Sequence, residues 1–298
     1  MKKYVLFILI NTALLNTTWG QTNVTTNPDS AIIVTADIDN FWRAFDSLKN
    51  QKTLDDSLKI IKTIFIEKAS DGLKQYLKAS NSTEKEYLEA IKKRRADYVK
   101  VREKAEAIVN EKRLIIQYLH RFKRLYPAIK IPSICYTIGK FEVGGTQFKN
   151  TLYIGCEVDV INHVDIIAQS IHELAHFQQK EQDSLTNLDL AMIEGGAEFV
   201  SYQITRKRTI YSSWEYGITH ENQLWKEFQP KLDSAIDMKW FRDIPDKVNN
   251  RPGSLAYFIG FRICEAYLKS RQNKKLALRE IVEMENSKKM FSVSSYRQ

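Results

Sequence analysis

The sequence predicts an α+β fold, mostly helical, with a small mixed β-sheet beside one motif-bearing helix. Three observations lead there. Apolar residues recur at helical spacing up to Pro127, short β-rich runs punctuated by glycine fill residues 134–154, and helical patterning resumes near Val164 and dominates to the end.

At the N-terminus Lys2 and Lys3 precede an apolar run at residues 4–15, and Thr18 and Gly20 put small residues before Gln21. This is the pattern of a cleavable export signal over residues 1–20, and its apolar run is short of the roughly 20 residues that span a bilayer. Residues 21–36, rich in Thr and Asn at their start, read as a flexible leader.

Residues 37–128 form a helical N-terminal region. Phe41, Phe45 and Leu48 sit at i, i+4, i+7, and Leu54, Leu58, Ile61 and Phe65 mark a second helix ending before Asp71-Gly72. Thr83 with Glu86 has the spacing of a capping box. It opens a long run carrying Leu88, Ile91, Tyr98 and Val101, then Leu114, Ile115 and Tyr118, with a break near Asn110 and a stop at Pro127.

Residues 129–298 form the second region. Runs at 134–138, 140–143 and 151–154 read as strands, with a turn at Lys149-Asn150. Cys135 and Cys156 lie in strand-like runs and could meet across the sheet; with Cys264 the count is three, so one thiol is left over in a monomer. None has the CxxC spacing of a cysteine metal site.

Composition narrows the function classes. An aromatic content of 11% and a hydrophobic content of 43% describe a globular chain and exclude disorder. The formal charge of +9 falls to +7 without Lys2 and Lys3 (9 − 2 = 7), which favours anionic surfaces and says little more. Lys92-Lys93-Arg94-Arg95 sits in a strongly helical stretch as a solvated face. No phosphate-cradling glycine loop and no aromatic-interleaved basic motif is present, so nucleic acid is not an expected partner.

Chemistry concentrates in Ser170-Ile171-His172-Glu173-Leu174-Ala175-His176-Phe177. In a helix His172 and His176 are one turn and about 40° apart, so both imidazoles reach one ion from one face. Glu173 points about 60° from His176, near the ion without having to bind it. Ile167, Ile171, Leu174 and Ala175 are left to hold the helix in the core. The pattern is HExxH: two metal ligands and an adjacent base.

A second constellation, Met192-Ile193-Glu194-Gly195-Gly196-Ala197-Glu198-Phe199, follows with 17 residues between His176 and Glu194. Catalytic zinc takes three protein ligands and keeps one open position. Glu194 is the expected third ligand, with Glu198 one turn on placed to hydrogen-bond a ligand histidine; the reverse assignment stays open at this point. Gly195, Gly196 and Ala197 allow two helices to approach closely.

HELAH followed by EGGAE resembles the gluzincin metallopeptidases. The wider chain is similar to bacterial predicted zinc-dependent proteases related to the gliding-motility lipoprotein B type. The similarity runs through Asp37-Ile38-Asp39-Asn40-Phe41-Trp42, Gly144-Gly145-Thr146 and Tyr257-Phe258-Ile259-Gly260. The resemblance implies a zincin-like fold whose edge strand lines the cleft, with Zn²⁺ on His172, His176 and Glu194 and with Glu173 as base. The chain departs from the motility lipoprotein in having no cysteine near the signal cut, so a lipid anchor is not expected.

The expected function is that of an exported metallohydrolase, periplasmic or secreted, cleaving peptide bonds in a peptide or protein substrate. Glu173 would take a proton from water and hand it to the leaving amine. Tyr257, then His220, are the candidate donors to the developing oxyanion. His163 and His120 read as structural or surface residues. The segment around Gly144, Gly145 and Thr146 either receives an extended peptide by strand addition or is a turn whose glycines adopt positive φ. The competing reading is a non-catalytic exported protein stapled by zinc that binds a partner; hydrolysis of a non-peptide amide, such as a cell-wall component, is a third.

Overall fold

The computed structural model describes residues 24–182 and 185–297, so the expected export signal at 1–20 lies outside the described residues. The architecture is mostly helical with one mixed four-stranded sheet. Among the described residues no helix is long and apolar enough to cross a membrane.

The stretch expected as a flexible leader instead supplies an edge strand, β1 (Ile33–Val34), which pairs in parallel with β2 (Ser133–Thr137). Its two residues form too short an apolar run to register as a strand in a sequence. Further along, Asp37 opens the helix α1 (Ala36–Ser47) and is fully buried. Its carboxylate accepts hydrogen bonds from the Ser70 amide (2.7 Å) and hydroxyl (2.6 Å) and from the Cys135 thiol (3.3 Å), which ties α1 to the sheet.

Next come α2 (Leu54–Ile60), which runs on as a π-helical turn over Ile61–Ile66, and α3 (Asp71–Ala79). The second helix ends at Ile66, before Asp71-Gly72 as the sequence suggested, and Asp71 begins a new helix capped by the Ser70 hydroxyl accepting from the Leu73 amide. The Thr83–Glu86 capping box is formed at the head of α4 (Glu84–Ala107). A 3-10 turn at Ile108–Asn110 separates α4 from α5 (Lys112–Leu125). Phe41, Trp42, Phe45, Phe65, Tyr87 and Tyr98 pack as one aromatic core, with ring centroids 5.0–6.5 Å apart in mostly tilted and edge-on pairs.

The sheet continues with β3 (Gly145–Phe148) and β4 (Thr151–Gly155), giving the spatial order β1-β2-β4-β3. β4 runs parallel to β2, and β3 turns back through Lys149-Asn150 to lie antiparallel on the far edge. Residues 140–143, expected as a strand, form a loop: Phe141 has φ 60°, and its amide donates to the buried Glu157 carboxylate at 3.1 Å instead of to a ladder. The three cysteines are free thiols. Cys135 pairs across the sheet with Tyr153, while Cys156 lies past the end of β4, so the two do not face each other.

After α6 (Cys156–Ile161) come α7 (Ile166–His176), α8 (Asn187–Thr205) and α9 (Tyr211–Phe228), then α10 (Leu255–Ser270), α11 (Lys274–Glu283) and α12 (Ser287–Ser294). α7 packs against the β3–β4 end of the sheet and against α8, and α8 packs closely on α10. Glycine makes the last contact so close. A Cβ on Gly260 would run into the Ala191 carbonyl oxygen, and one on Gly195 into the backbone of Gly260 and Phe261.

Candidate metal centre

The helix carrying HELAH is fixed at every level. Asp165 caps it by accepting from the Ala168 amide at 2.9 Å, and Ile167, Ile171, Leu174 and Ala175 are buried. The Ser201 hydroxyl of α8 donates to the Ala168 carbonyl at 2.8 Å. At the far end Gln178 spans the Lys130 amide (2.8 Å) and carbonyl (2.9 Å) and the Leu174 carbonyl (2.8 Å). The helix is thus locked in rotation as well as in position.

α8 begins in its own capping box, Thr186 with Asp189, and brings Glu194 opposite the two histidines. His172 Nε2 and His176 Nε2 are 3.0 Å apart, and Glu194 Oε2 lies 3.6 Å from the first and 3.3 Å from the second. Among the described residues these three side chains form the one group of three or more potential ligands whose atoms converge within 4.8 Å. A tetrahedral ion with bonds of about 2.0–2.1 Å needs ligand atoms roughly 3.3 Å apart. The three measured separations straddle that value, so two imidazoles and one carboxylate fit zinc in both donor type and spacing.

Protonation fits as well. His172 is nearly fully buried, and its Nδ1 has no hydrogen-bond partner; the nearest acceptor is Glu198 Oε2 at 3.6 Å. A carboxylate facing Nδ1 favours keeping the proton there, so the proton an incoming ion would displace is the one on Nε2. Burial alone lowers the His172 pKa, but Glu194 and Glu198 outweigh it and hold it up at about 10. His176 is likewise raised, burial being overcome by Glu194, and the two histidines in turn pull the Glu194 carboxyl far below its usual range against the push of burial. Such mutual charge dependence is expected where a cation has a place among the groups.

Glu194, and not Glu198, carries its carboxylate into the convergent group. Glu198 is fully buried behind His172, where it accepts from the Thr209 amide (3.0 Å) and hydroxyl. It faces the histidine at ion-pair range without the expected hydrogen bond. Thr209, which holds it, carries no recognisable motif in the sequence.

Glu173 stands beside the group with its Oε1 accepting from Gln169 Nε2 at 2.8 Å. Gly145 explains itself here: a Cβ at that position would fall on the Glu173 carboxylate, so the bare backbone of β3 leaves the base its room. Gly144 similarly faces Asp159, at 2.8 Å from where its Cβ would be. Neither glycine has positive φ, so the turn reading of this segment is replaced by close approach. Thr146 lies on the outer strand of the sheet, whose other edge pairs with no strand among the described residues.

Tyr257 reaches the site from α10. Its ring lies parallel to that of His172, with centroids 6.2 Å apart, and the charge of Glu194 acts on its hydroxyl. Burial and then the Glu194 charge push its pKa well above the ordinary tyrosine value, so it stays a neutral O–H donor. His220 is placed differently. Its ring stacks on Tyr216 at 4.0 Å, and its Nδ1 engages the Tyr216 carbonyl (2.9 Å) and Thr219 hydroxyl (2.8 Å), all on its own helix. The structure gives it no part in the convergent group.

Four residues escaped the sequence: Gln169 and Gln179 against the motif residues, and two buried carboxylates, Glu157 and Asp159, next to the loop that feeds β3. Helical spacing would have found Gln169, four residues before Glu173. No curated protein and no solved structure matches the chain. The family profile of gliding motility protein GldB matches residues 211–298, from α9 to the C-terminal helix, and this part of the chain is similar to that family.

Proposed function

We propose that the chain is an exported zinc-dependent hydrolase of gluzincin type, with a zincin-like catalytic region, that cleaves peptide bonds. The observation that carries the reading is the convergence of His172, His176 and Glu194 beside a carboxylate that is not itself in the group. The antiparallel outer strand β3 alongside α7 supports the zincin-like assignment.

A zinc ion held by the three side chains would supply Lewis acidity to a water and to a substrate carbonyl. The chain's own part is proton handling and positioning. Glu173 takes the proton of the attacking water and delivers it to the leaving nitrogen. Gln169, donating to Glu173 Oε1, fixes which carboxylate oxygen remains free for that transfer. The Tyr257 hydroxyl, neutral and next to Glu194, donates to the oxygen that gains charge. The outer edge of β3 offers main-chain groups to an extended peptide.

The test is E173Q, which preserves shape and removes the base. Peptide hydrolysis should fall by about 10²–10⁴-fold with bound zinc unchanged. Full function of a zinc-loaded E173Q protein would replace this reading with a zinc-stapled binding role.

A further inference from the structure

We propose that Gln179 is a positioning residue that sets the tautomer of His176 and joins the two ligand-bearing helices; the inference rests on the zinc reading above. Gln179 lies three residues past His176, just beyond the end of α7. Its Oε1 is 2.8 Å from His176 Nδ1, and its Nε2 donates to the Ile193 carbonyl at 2.7 Å.

The chemistry of that pair of contacts leaves one arrangement. A backbone carbonyl only accepts, so the amide end facing Ile193 must be the NH₂. The oxygen then faces His176 Nδ1, which must carry the proton to have a bond at all. A neutral imidazole with its proton on Nδ1 presents an unprotonated Nε2, and His176 Nε2 is the atom turned toward His172 and Glu194. The orientation of a single amide therefore converts a carbonyl on α8 into a lone pair on α7.

Position adds a second consequence. Ile193 directly precedes Glu194, so the Gln179 bridge fixes the spacing between His176 and the third ligand. The motif packs beside this bridge: a Cβ on Gly196 would strike the Met284 side chain, while it would meet Gln179 Nε2 only at ordinary contact distance, 3.8 Å. Gly196 thus makes room for Met284 while Gly195 serves the packing on α10. His172, whose Nδ1 faces Glu198 without a hydrogen bond, has no such device.

Zinc affinity of the parent, Q179L and Q179E proteins, measured by competition with a chromophoric chelator, tests this, together with ¹⁵N shifts of His176 in the zinc-loaded parent. Q179L should bind zinc about 10–100-fold more weakly. Q179E keeps the acceptor for His176 but loses the NH₂ that holds the Ile193 carbonyl, so it should lose clearly less zinc affinity than Q179L, and His176 should carry its proton on Nδ1 in the parent. A purely structural role would lower the metal-free melting temperature of Q179L and leave zinc affinity alone, which would overturn the proposal. Equal loss in both variants, or a His176 proton on Nε2, overturns it as well. If Q179L does not fold, Q179E and the His176 shifts decide. A parent that binds no zinc sinks the metal reading and this inference together, whereas a parent that binds zinc beside an equally tight Q179L sinks Gln179 alone.

Discussion

The two halves of the molecule share buried rings but differ in how closely their backbones approach. Around α1 and α4 large rings fill space: Phe41, Trp42, Phe45 and Tyr98 are almost wholly buried and meet one another at aromatic contact distances. Around α7, α8 and α10 rings such as Phe199 and Phe261 are buried too, but the closest approaches are made at Gly145, Gly195 and Gly260, and polar groups such as Ser170, Glu198 and Ser201 are buried alongside. A core of rings supplies stability through area and dispersion. A core of glycines lets backbones and functional groups come within touching distance at a cost in chain entropy. The difference teaches where the molecule tolerates change: the aromatic half resists unfolding, and the glycine half holds geometry.

Substitutions can break that contrast apart. F41A should cost about 3–5 kcal/mol in urea unfolding while leaving zinc affinity intact, because it removes a buried ring from the half without ligands. G260A should cost about 1–3 kcal/mol and also weaken zinc binding. Its added methyl must push α8 away from α10, and α8 carries Glu194. Equal zinc affinity in G260A and the parent would show that the close helix packing is not what positions the ligand.

A smaller effect sharpens the comparison through pH. Burial raises the Glu157 carboxyl to about 7, above its ordinary value, so the folded state holds a proton that the unfolded chain has released. That contribution is complete below pH about 4.5 and is lost as pH rises toward 7. E157Q, neutral throughout, should gain on the parent by up to about 1.4 kcal/mol per pH unit between pH 5 and 7, read as a difference in unfolding free energy. A constant difference across that range would show that Glu157 titrates normally.

What the sequence made legible follows the same division. The capping boxes, the HELAH stripe and the aromatic periodicity are local: each is written within one or two turns of one helix, and each is where spacing placed it. Long-range partners were not legible. Gln178 and Gln179 are adjacent and chemically identical, yet one pins the helix to Lys130 and the other holds His176. Only the path of the chain after His176 separates them. β1 is two residues long and owes its existence to β2, and the loop at 140–143 was drawn away from strand pairing by the buried Glu157 carboxylate. Asp159 is nearly fully buried and pushed well above its ordinary pKa, and no pattern of neighbours in the sequence marks it.

The most direct test of the account is elemental analysis of zinc in the purified protein beside an H172A/H176A double variant. The account predicts close to one zinc per chain in the parent and none in the variant. A folded parent, supplied with zinc, that retains no metal would contradict it.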